Sequence, residues 1–451
     1  MEAGAVSSIL IRDGYILTLD EAGRRLKADV LIEGDRIRKI GSSLDAAAEK
    51  VIDAAGMLVL PGFVQAHIHL CQSLLRGRAD DVSLLEWLNI ITDLESFHTP
   101  ETLYASARLG LAETIKAGAT SVIDMGTLHH QDSIFRAIEE SGIRAQAGKA
   151  MMDLTDNLPP ALRETTEQSL RESMDLLHRW HGRANGRIRY GFAPRWQLWN
   201  TEEALITIKQ EADRRPGVGI HGHAAEIQDE VSLMIAQRGS RNLKYLEKIG
   251  VVGPNVQMAH CIWLDDEEMD VLAATGTHVL HCPCCNAKLG SGIAKVPEMV
   301  ERGISVALGS DGAPSNNNLD MFIEMRVASL VHKARLGAAA FPAEKVLRLA
   351  TNGGAAALGL AEEIGSIEEG KKADLILLDD GGLRAAPLAA FDEDDPAGRI
   401  VSAFQSESVR TSIIDGRVVM EDRELQTMDE AEILADARNA WLDLRRRRAV
   451  G

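Results

Sequence analysis

The stretch VLPGFVQAHIH, residues 59–69, is an apolar run that ends on two histidines two positions apart. On a strand such residues face the same side, so the imidazoles of His67 and His69 can reach one ion. Two histidines beside a loop would be spelled the same way, and the surrounding pattern decides between the readings. From 61 to 365, short apolar stretches alternate with longer amphipathic ones, the pattern of parallel βα units. Strands are expected at 121–124, 143–148, 188–193, 218–223, 256–260, 278–282 and 305–310, and helices at 101–116, 162–180, 202–214 and 265–274. A polar or metal-binding residue stands at or just past many strand ends: His67 and His69, Asp124, Arg195, His223, His260 and Asp311. Barrel enzymes place their chemistry at the C-terminal ends of strands. The expected fold is therefore α/β, a (β/α)8 TIM barrel with these residues around one mouth.

The flanks have a different texture. Residues 1–60 read as strands at 8–19, 29–40 and 50–60, with turns at Asp13-Gly14 and Gly34-Asp35. Residues 366–451 repeat it: 373–379 is an apolar strand, and SIIDGRVVME at 412–421 has a strand–turn–strand look. Both ends are expected to build one small β-sandwich, with the barrel of 61–365 inserted between them. Residues 424–448 read as a terminal helix, apolar at Ile433, Leu434, Ala437, Trp441 and Leu444.

The chain of 451 residues has room for a barrel and a smaller unit. Its net charge of −18 argues against nucleic acid or an anionic membrane as a partner. The basic run Arg445 to Arg448 suits the end of a solvated helix, where cations complement the dipole. No apolar run reaches the ~18 residues of a membrane span, and Met1 to Leu10 lacks the basic start of a secretory leader. Five cysteines, an odd and sparse set in a long chain, fit a reducing cytoplasm.

Three further places carry chemistry. In His221-Gly222-His223-Ala224-Ala225-Glu226, either histidine could bind an ion, because both share a face. Glu226 sits just past the strand, where a carboxylate can move protons between a water and a substrate. His260 closes the strand 256–260, and Asp311 follows the strand 305–310, where a buried carboxylate needs a metal or an arginine. Three imidazoles and a carboxylate from different strand ends suit zinc or iron with a position left for water. Cys282-Pro283-Cys284-Cys285 lacks a second cysteine pair and is not read as a zinc knuckle. The zinc-deaminase pattern of His-x-Glu with Pro-Cys-x-x-Cys is absent.

With these residues in place, the chain resembles the amidohydrolase superfamily, in its aminohydrolase branch of S-adenosylhomocysteine/methylthioadenosine and 5'-deoxyadenosine deaminases, guanine deaminase and triazine hydrolases. The resemblance runs from Leu60-Pro61-Gly62-Phe63 and His67-x-His69 through Leu75-Arg76-Gly77, Glu86-Trp87-Leu88, His223-x-x-Glu226 and Ala259-His260-Cys261. It continues through His281-Cys282-Pro283, Gly309-Ser310-Asp311-Gly312, residues 350–355, Gly365-Ser366-Ile367 and residues 370–375. It implies His67, His69, His223 and Asp311 as ligands of one divalent metal ion, zinc first and iron also suited. It implies that Glu226 protonates a substrate ring nitrogen, and that His260 and Asp311 orient and deprotonate the attacking water. Binuclear members carry a modified lysine at the end of strand four. Here that place reads Phe192-Ala193-Pro194-Arg195, so one ion is expected. A homo-oligomer goes with the resemblance.

The substrate clues divide. Ser315 in Asp311-Gly312-Ala313-Pro314-Ser315, with Arg76-Gly77 and Trp87, resembles the adenosine-type deaminases. Gln72 and Pro194-Arg195-Trp196 resemble guanine deaminase, and an amide with a guanidinium suits an oxo-purine or pterin edge. Gln72 also occurs in triazine hydrolases, which displace chloride or an amine, and an Arg195 salt bridge under the rim would serve structure alone. His281 ends strand seven and can face the substrate. His129, His130, Arg144 and Lys149 fit structural roles better than a place in the pocket. The expectation is a hydrolytic deaminase of a small aminated N-heterocycle, adenosine-type first. A non-catalytic barrel used for assembly would be expected to have lost ligands, and none is missing.

Overall fold

The computed structural model describes residues 8–154, 158–379 and 396–450. The first seven residues, on which the reading of the N-terminus largely rests, lie outside it.

The central region forms a parallel sheet. Its long strands are Phe63–His69, Ala119–Asp124, Arg144–Ala147, Ile188–Pro194, Gly219–Ala224, Val256–His260, His278–His281 and Val306–Leu308, each paired in parallel with the next. Helices cover both faces of such a sheet or its outer face, so its strands read as continuous apolar runs, and Phe63–His69 is buried at every residue. The sheet curls back on itself. Val306–Leu308 lies at one end of the strand order, and the two-residue strand Asp311–Gly312 lies at the other, paired with Phe63–His69. Only Gly309 and Ser310 separate them. A Cβ on Gly309 would sit 2.6 Å from the His67 backbone nitrogen, and the Ser310 amide donates to Gln65 Oε1 at 2.6 Å. That close approach is why the strand expected at 305–310 stops at Leu308 and changes partner.

The intervening helices are set by their caps. Pro100–Lys116 begins with a Thr99–Thr102 capping box and proline at its first position. Asp266–Thr275 has the Asp265–Glu268 box and ends at Gly276 in the left-handed region. Thr166–Trp180 starts four residues later than the 162–180 pattern suggests, because Thr165 accepts the Gln168 amide and fixes the start there. The terminal helix is Glu430–Val450, and Glu424–Leu425 at its expected start is a short strand.

Both chain ends build the second sheet. From the front come Ser8–Leu17, Arg25–Glu33, Arg36–Gly41, Lys50–Asp53 and Leu58–Pro61, and from the back Leu375–Leu378, Val409–Ile414, Arg417–Glu421 and Glu424–Leu425. The halves join where Leu58–Pro61 pairs antiparallel with Leu375–Leu378. The Asp415-Gly416 turn, with φ of 52° and 72°, closes the expected hairpin. Hydrogen bonds run continuously through all nine strands, so the sheet is one piece. Ile9, Ile11, Val30 and Ile32 share a buried cluster with Leu375, Leu377 and Ile413. Among the described residues no helix is long and apolar enough to cross a membrane.

Candidate active site

His67 and His69 stand at the end of the first parallel strand, and the period of two sends both rings to one side. His223 comes from Gly219–Ala224, and Asp311 from the two-residue strand beyond Val306–Leu308. One ligand-type atom from each of His67, His69, His223 and Asp311 lies within 4.8 Å of the others. Asp311 Oδ1 is 3.2 Å from Nε2 of both His67 and His69. His221 stands outside this group, with its Nε2 2.7 Å from His67 Nδ1. The choice that spacing left open between His221 and His223 thus falls on His223 as the member of the group and His221 as the ring that orients His67. His223 Nδ1 donates to the Arg195 carbonyl at 2.6 Å, an outer contact of the kind that fixes a ligand's tautomer and frees its Nε2.

These residues fit a divalent cation. His67 Nε2, which faces Asp311, is a buried polar atom without a hydrogen bond among the described residues. Burial pushes His67 down to about 4. Burial, with the neighbouring rings, holds His223 well below its usual range. Both are therefore neutral, the form that ligates a metal. Burial pushes the Asp311 carboxyl up, but the His67 and His69 rings beside it hold it well below the usual carboxylate range. Three imidazoles and a carboxylate make a zinc-type donor set with a position to spare.

Next to this group lies a pair of opposite tendency. Burial pushes Glu226 up to about 7; His260 opposes this, and the charges of Asp311 and Glu230 add to it. Burial lowers His260, but Glu226 and Asp311 raise it above its usual value. Glu226 Oε2 is 3.6 Å from His260 Nε2, and Glu226 Oε1 accepts from Ser291 Oγ at 3.3 Å. His260 Nδ1 donates to Asn286 Oδ1 at 2.9 Å, which turns Nε2 toward Glu226. Glu230, one helical turn on, accepts the Ala225 and Glu226 amides and fixes the loop. Ala225, His260, Cys261 and Asp311 all have φ between 50° and 70°. Such left-handed non-glycine residues cost ~1–3 kcal/mol each and gather at functional sites.

A cavity opens over these groups. His69, His223, Glu226, His260 and Asp311 form its floor, and Leu84, Leu88, Trp196, Trp199 and Leu289 give it apolar walls. Of the residues expected to touch substrate, Trp87 and Arg195 line it. Trp87 Nε1 donates to the Pro314 carbonyl. Arg195 spends its fork on both oxygens of Glu95, at 2.7 and 3.1 Å. Gln72, Ser315 and His281 are buried and outside the lining. Gln72 Nε2 donates to Glu95 Oε1 at 2.6 Å, and Ser315 Oγ donates to the Gly312 carbonyl at 2.8 Å. The His281 ring packs 5.5 Å from His332.

His129, His130, Arg144 and Lys149 also lie away from the cavity lining. His129 donates to the Ala161 carbonyl, and His130 precedes the helix Gln131–Ser141 with φ of 60°. Arg144 binds Asp374 and Asp415, and Lys149 pairs with buried Glu164. Glu95, Asn286, Ser291 and Glu230 escaped the sequence reading. Each acts through a partner distant in the chain or through a loop amide, and no local pattern marks it.

The amidohydrolase family model matches residues 58–419, which includes every residue of the site. The chain belongs to the amidohydrolase family. Among its relatives, the 5'-deoxyadenosine deaminase of Methanobrevibacter smithii is 39% identical over 97% of this chain and 98% of its own. The 5-methylthioadenosine/S-adenosylhomocysteine deaminase of Syntrophomonas wolfei is 39% identical over 91% of this chain and 93% of its own. Among solved structures, an adenosine deaminase from Xanthomonas campestris with bound zinc superposes with a TM-score of 0.89 at 30% identity, covering 97% of this chain and 98% of that one. Escherichia coli guanine deaminase gives 0.81 at 27% identity over 92% and 100%. As in amidohydrolases generally, the site suits metal-dependent hydrolysis, and the chain is a hydrolase of this family acting on carbon–nitrogen bonds.

Proposed function

We propose that this amidohydrolase is a zinc-dependent hydrolytic deaminase of adenosine-type nucleosides such as 5'-deoxyadenosine and methylthioadenosine. The observation that carries the reading is the placing of Glu226 and His260, 3.6 Å apart, beside the His67, His69, His223 and Asp311 group on one cavity floor. The adenosine-type choice is supported by the names of the near full-length relatives. The oxo-purine alternative loses support because its two gripping groups, Gln72 and Arg195, are both engaged by Glu95. The reading includes a closed (β/α)8 barrel over 61–365. It also includes a sandwich-like unit from 1–60 and 366–451, supported by the curled sheet and the shared cluster of the terminal strands. Five free cysteines suit the expected cytoplasmic setting.

His67, His69, His223 and Asp311 would hold the cation, which supplies Lewis-acid activation of water at neutral pH. The chain's own groups do the rest. Glu226, protonated near neutrality, gives its proton to the ring nitrogen beside the amino-bearing carbon. His260 orients the attacking water through Nε2 and stabilises charge. Asp311 accepts one proton of the water and passes it to the departing amino group, and the second, from the new hydroxyl, returns to Glu226, so one water enters and one ammonia leaves. Trp87, Trp196 and Leu88 exclude bulk water and pack against the heterocycle or its 5'-substituent.

The test is a substrate panel with zinc-loaded protein: adenosine, 5'-deoxyadenosine, methylthioadenosine, S-adenosylhomocysteine, guanine, a pterin and a chlorotriazine. Ammonia release from the adenosine-type members, with little from guanine or pterin, is expected. Ammonia from guanine alone, or chloride from the triazine alone, would reject the assignment.

A further inference from the structure

A second set of donors adjoins the first. Glu226, His260 and Cys285 each offer one ligand-type atom, and these atoms lie within 4.8 Å of one another. All three side chains are buried. The 3.6 Å between His260 Nε2 and Glu226 Oε2 is near the ~3.4 Å that separates two donors bound at about 2.0–2.1 Å to a tetrahedral ion. Asp311 joins the two sets. Its Oδ1 faces His67 and His69 at 3.2 Å, while its Oδ2 lies 2.9 Å from Cys285 Sγ. Two-metal sites hold their ions about 3.5–4 Å apart, a separation that one carboxylate spans with its two oxygens. Cys285 lies on the short helix Pro283–Lys288 and has no part in the proposed reaction.

We propose that Glu226, His260 and Cys285, bridged to the first site by Asp311, form a second cation site for a thiophilic ion of the zinc class, and that filling it inhibits the enzyme. A thiolate, an imidazole and a carboxylate are a borderline-soft set that prefers zinc or cadmium to magnesium or calcium. Binding forms a cation–sulfur bond in place of the Cys285 S–H bond. The thiol proton, and the Glu226 proton where present, leave to solvent, so no oxidant or reductant takes part. An ion held there occupies the carboxylate and the imidazole that handle protons in the proposed reaction. The inhibition rests on that functional reading, and the binding does not.

Cadmium is the probe. Protein carrying one equivalent of zinc is titrated with cadmium while the ultraviolet charge-transfer band of a cadmium–thiolate bond is followed. One further equivalent should bind and bring up the band. Cys285→Ser should lose the band and keep its zinc; Cys284→Ser, outside the donor set, should keep both. If Cys285→Ser folds poorly by circular dichroism, cadmium-113 resonance of the wild-type protein reads the same point through the downfield shift of a sulfur-bound ion. Excess zinc should inhibit the wild type. Its inhibition constant should rise at least about tenfold in Cys285→Ser, since even an outer partner's loss costs that much affinity. Saturation without a sulfur-bound ion, or a band that survives Cys285→Ser, overturns the site. A sulfur-bound second ion in a protein that deaminates no member of the panel would overturn the functional reading and leave the site standing.

Discussion

At the scale of single residues, burial without a full counter-charge brings Glu226 and Glu324 to titrate near neutrality. Glu226 is pushed up to about 7, so its donor form is present below that pH and lost as pH rises through it. Deamination should therefore fall on the alkaline side with that midpoint. Glu226→Gln should remove this limb and lower kcat by about 10²–10⁴, with zinc content unchanged by metal analysis. Glu324 shows the same effect in a structural setting. It is buried, accepts from Asn316 Nδ2 and the Cys284 amide, and is raised by burial to about 7. The folded state holds its proton where the unfolded state, with a pKa near 4.3, has lost it. Its contribution is thus complete below the unfolded pKa and declines as pH climbs to about 7, by up to ~1.4 kcal/mol per pH unit. Urea midpoints measured from pH 4.5 to 7 should show this decline, and Glu324→Gln should flatten it whatever offset the amide brings.

At the scale of elements, the strand Arg144–Ala147 is tied to the terminal sheet by one buried cation. Arg144 donates to Asp374 at 2.7 and 3.0 Å and to Asp415 at 3.0 Å, and all three side chains are less than 10% exposed. Arg144→Met would fill the space but leave buried Asp374 without its cation and Asp415 with Lys372, a loss of about 3–5 kcal/mol. The urea midpoint should drop accordingly, and adding Asp374→Asn should recover part of the loss. The elements also show what a sequence reader can see. His67, His69, Glu226, His260 and Asp311 end or follow apolar strands, and strand ends are legible because period and burial announce them. Gln72 lies three residues past His69 in the sequence. The strand stops at His69 and Leu70–Leu75 winds into a 3-10 turn, which aims the amide at Glu95. Arg195 faces the cavity as its strand-end position suggests, but its partner lies 100 residues earlier, a pairing that no local pattern encodes. Ser315, by contrast, is spent locally: its Oγ donates to the Gly312 carbonyl three residues back.

At the scale of the whole molecule, the first, fifth and eighth parallel strands meet at four donors, so a cation bound there fastens elements far apart in the chain. The unfolded chain has no such site, and binding therefore adds stability by mass action. With free zinc at 100 times its Kd the gain is about 2.7 kcal/mol. A chain of this length shifts its Tm by roughly 2 °C or less per kcal/mol, extrapolating the trend of smaller domains, so a chelated sample should melt a few degrees below a zinc-loaded one. The shift should grow with the logarithm of free zinc rather than saturate at stoichiometry. His223→Ala should abolish the shift at free zinc too low to fill the second site, because His223 is the donor that the strand Gly219–Ala224 gives the group. His221→Ala should retain a reduced shift, because His221 orients His67 without joining the group. Equal melting of chelated and zinc-loaded wild type would mean that these four residues close on one another without a cation, and the proposed chemistry would lose its source of activated water.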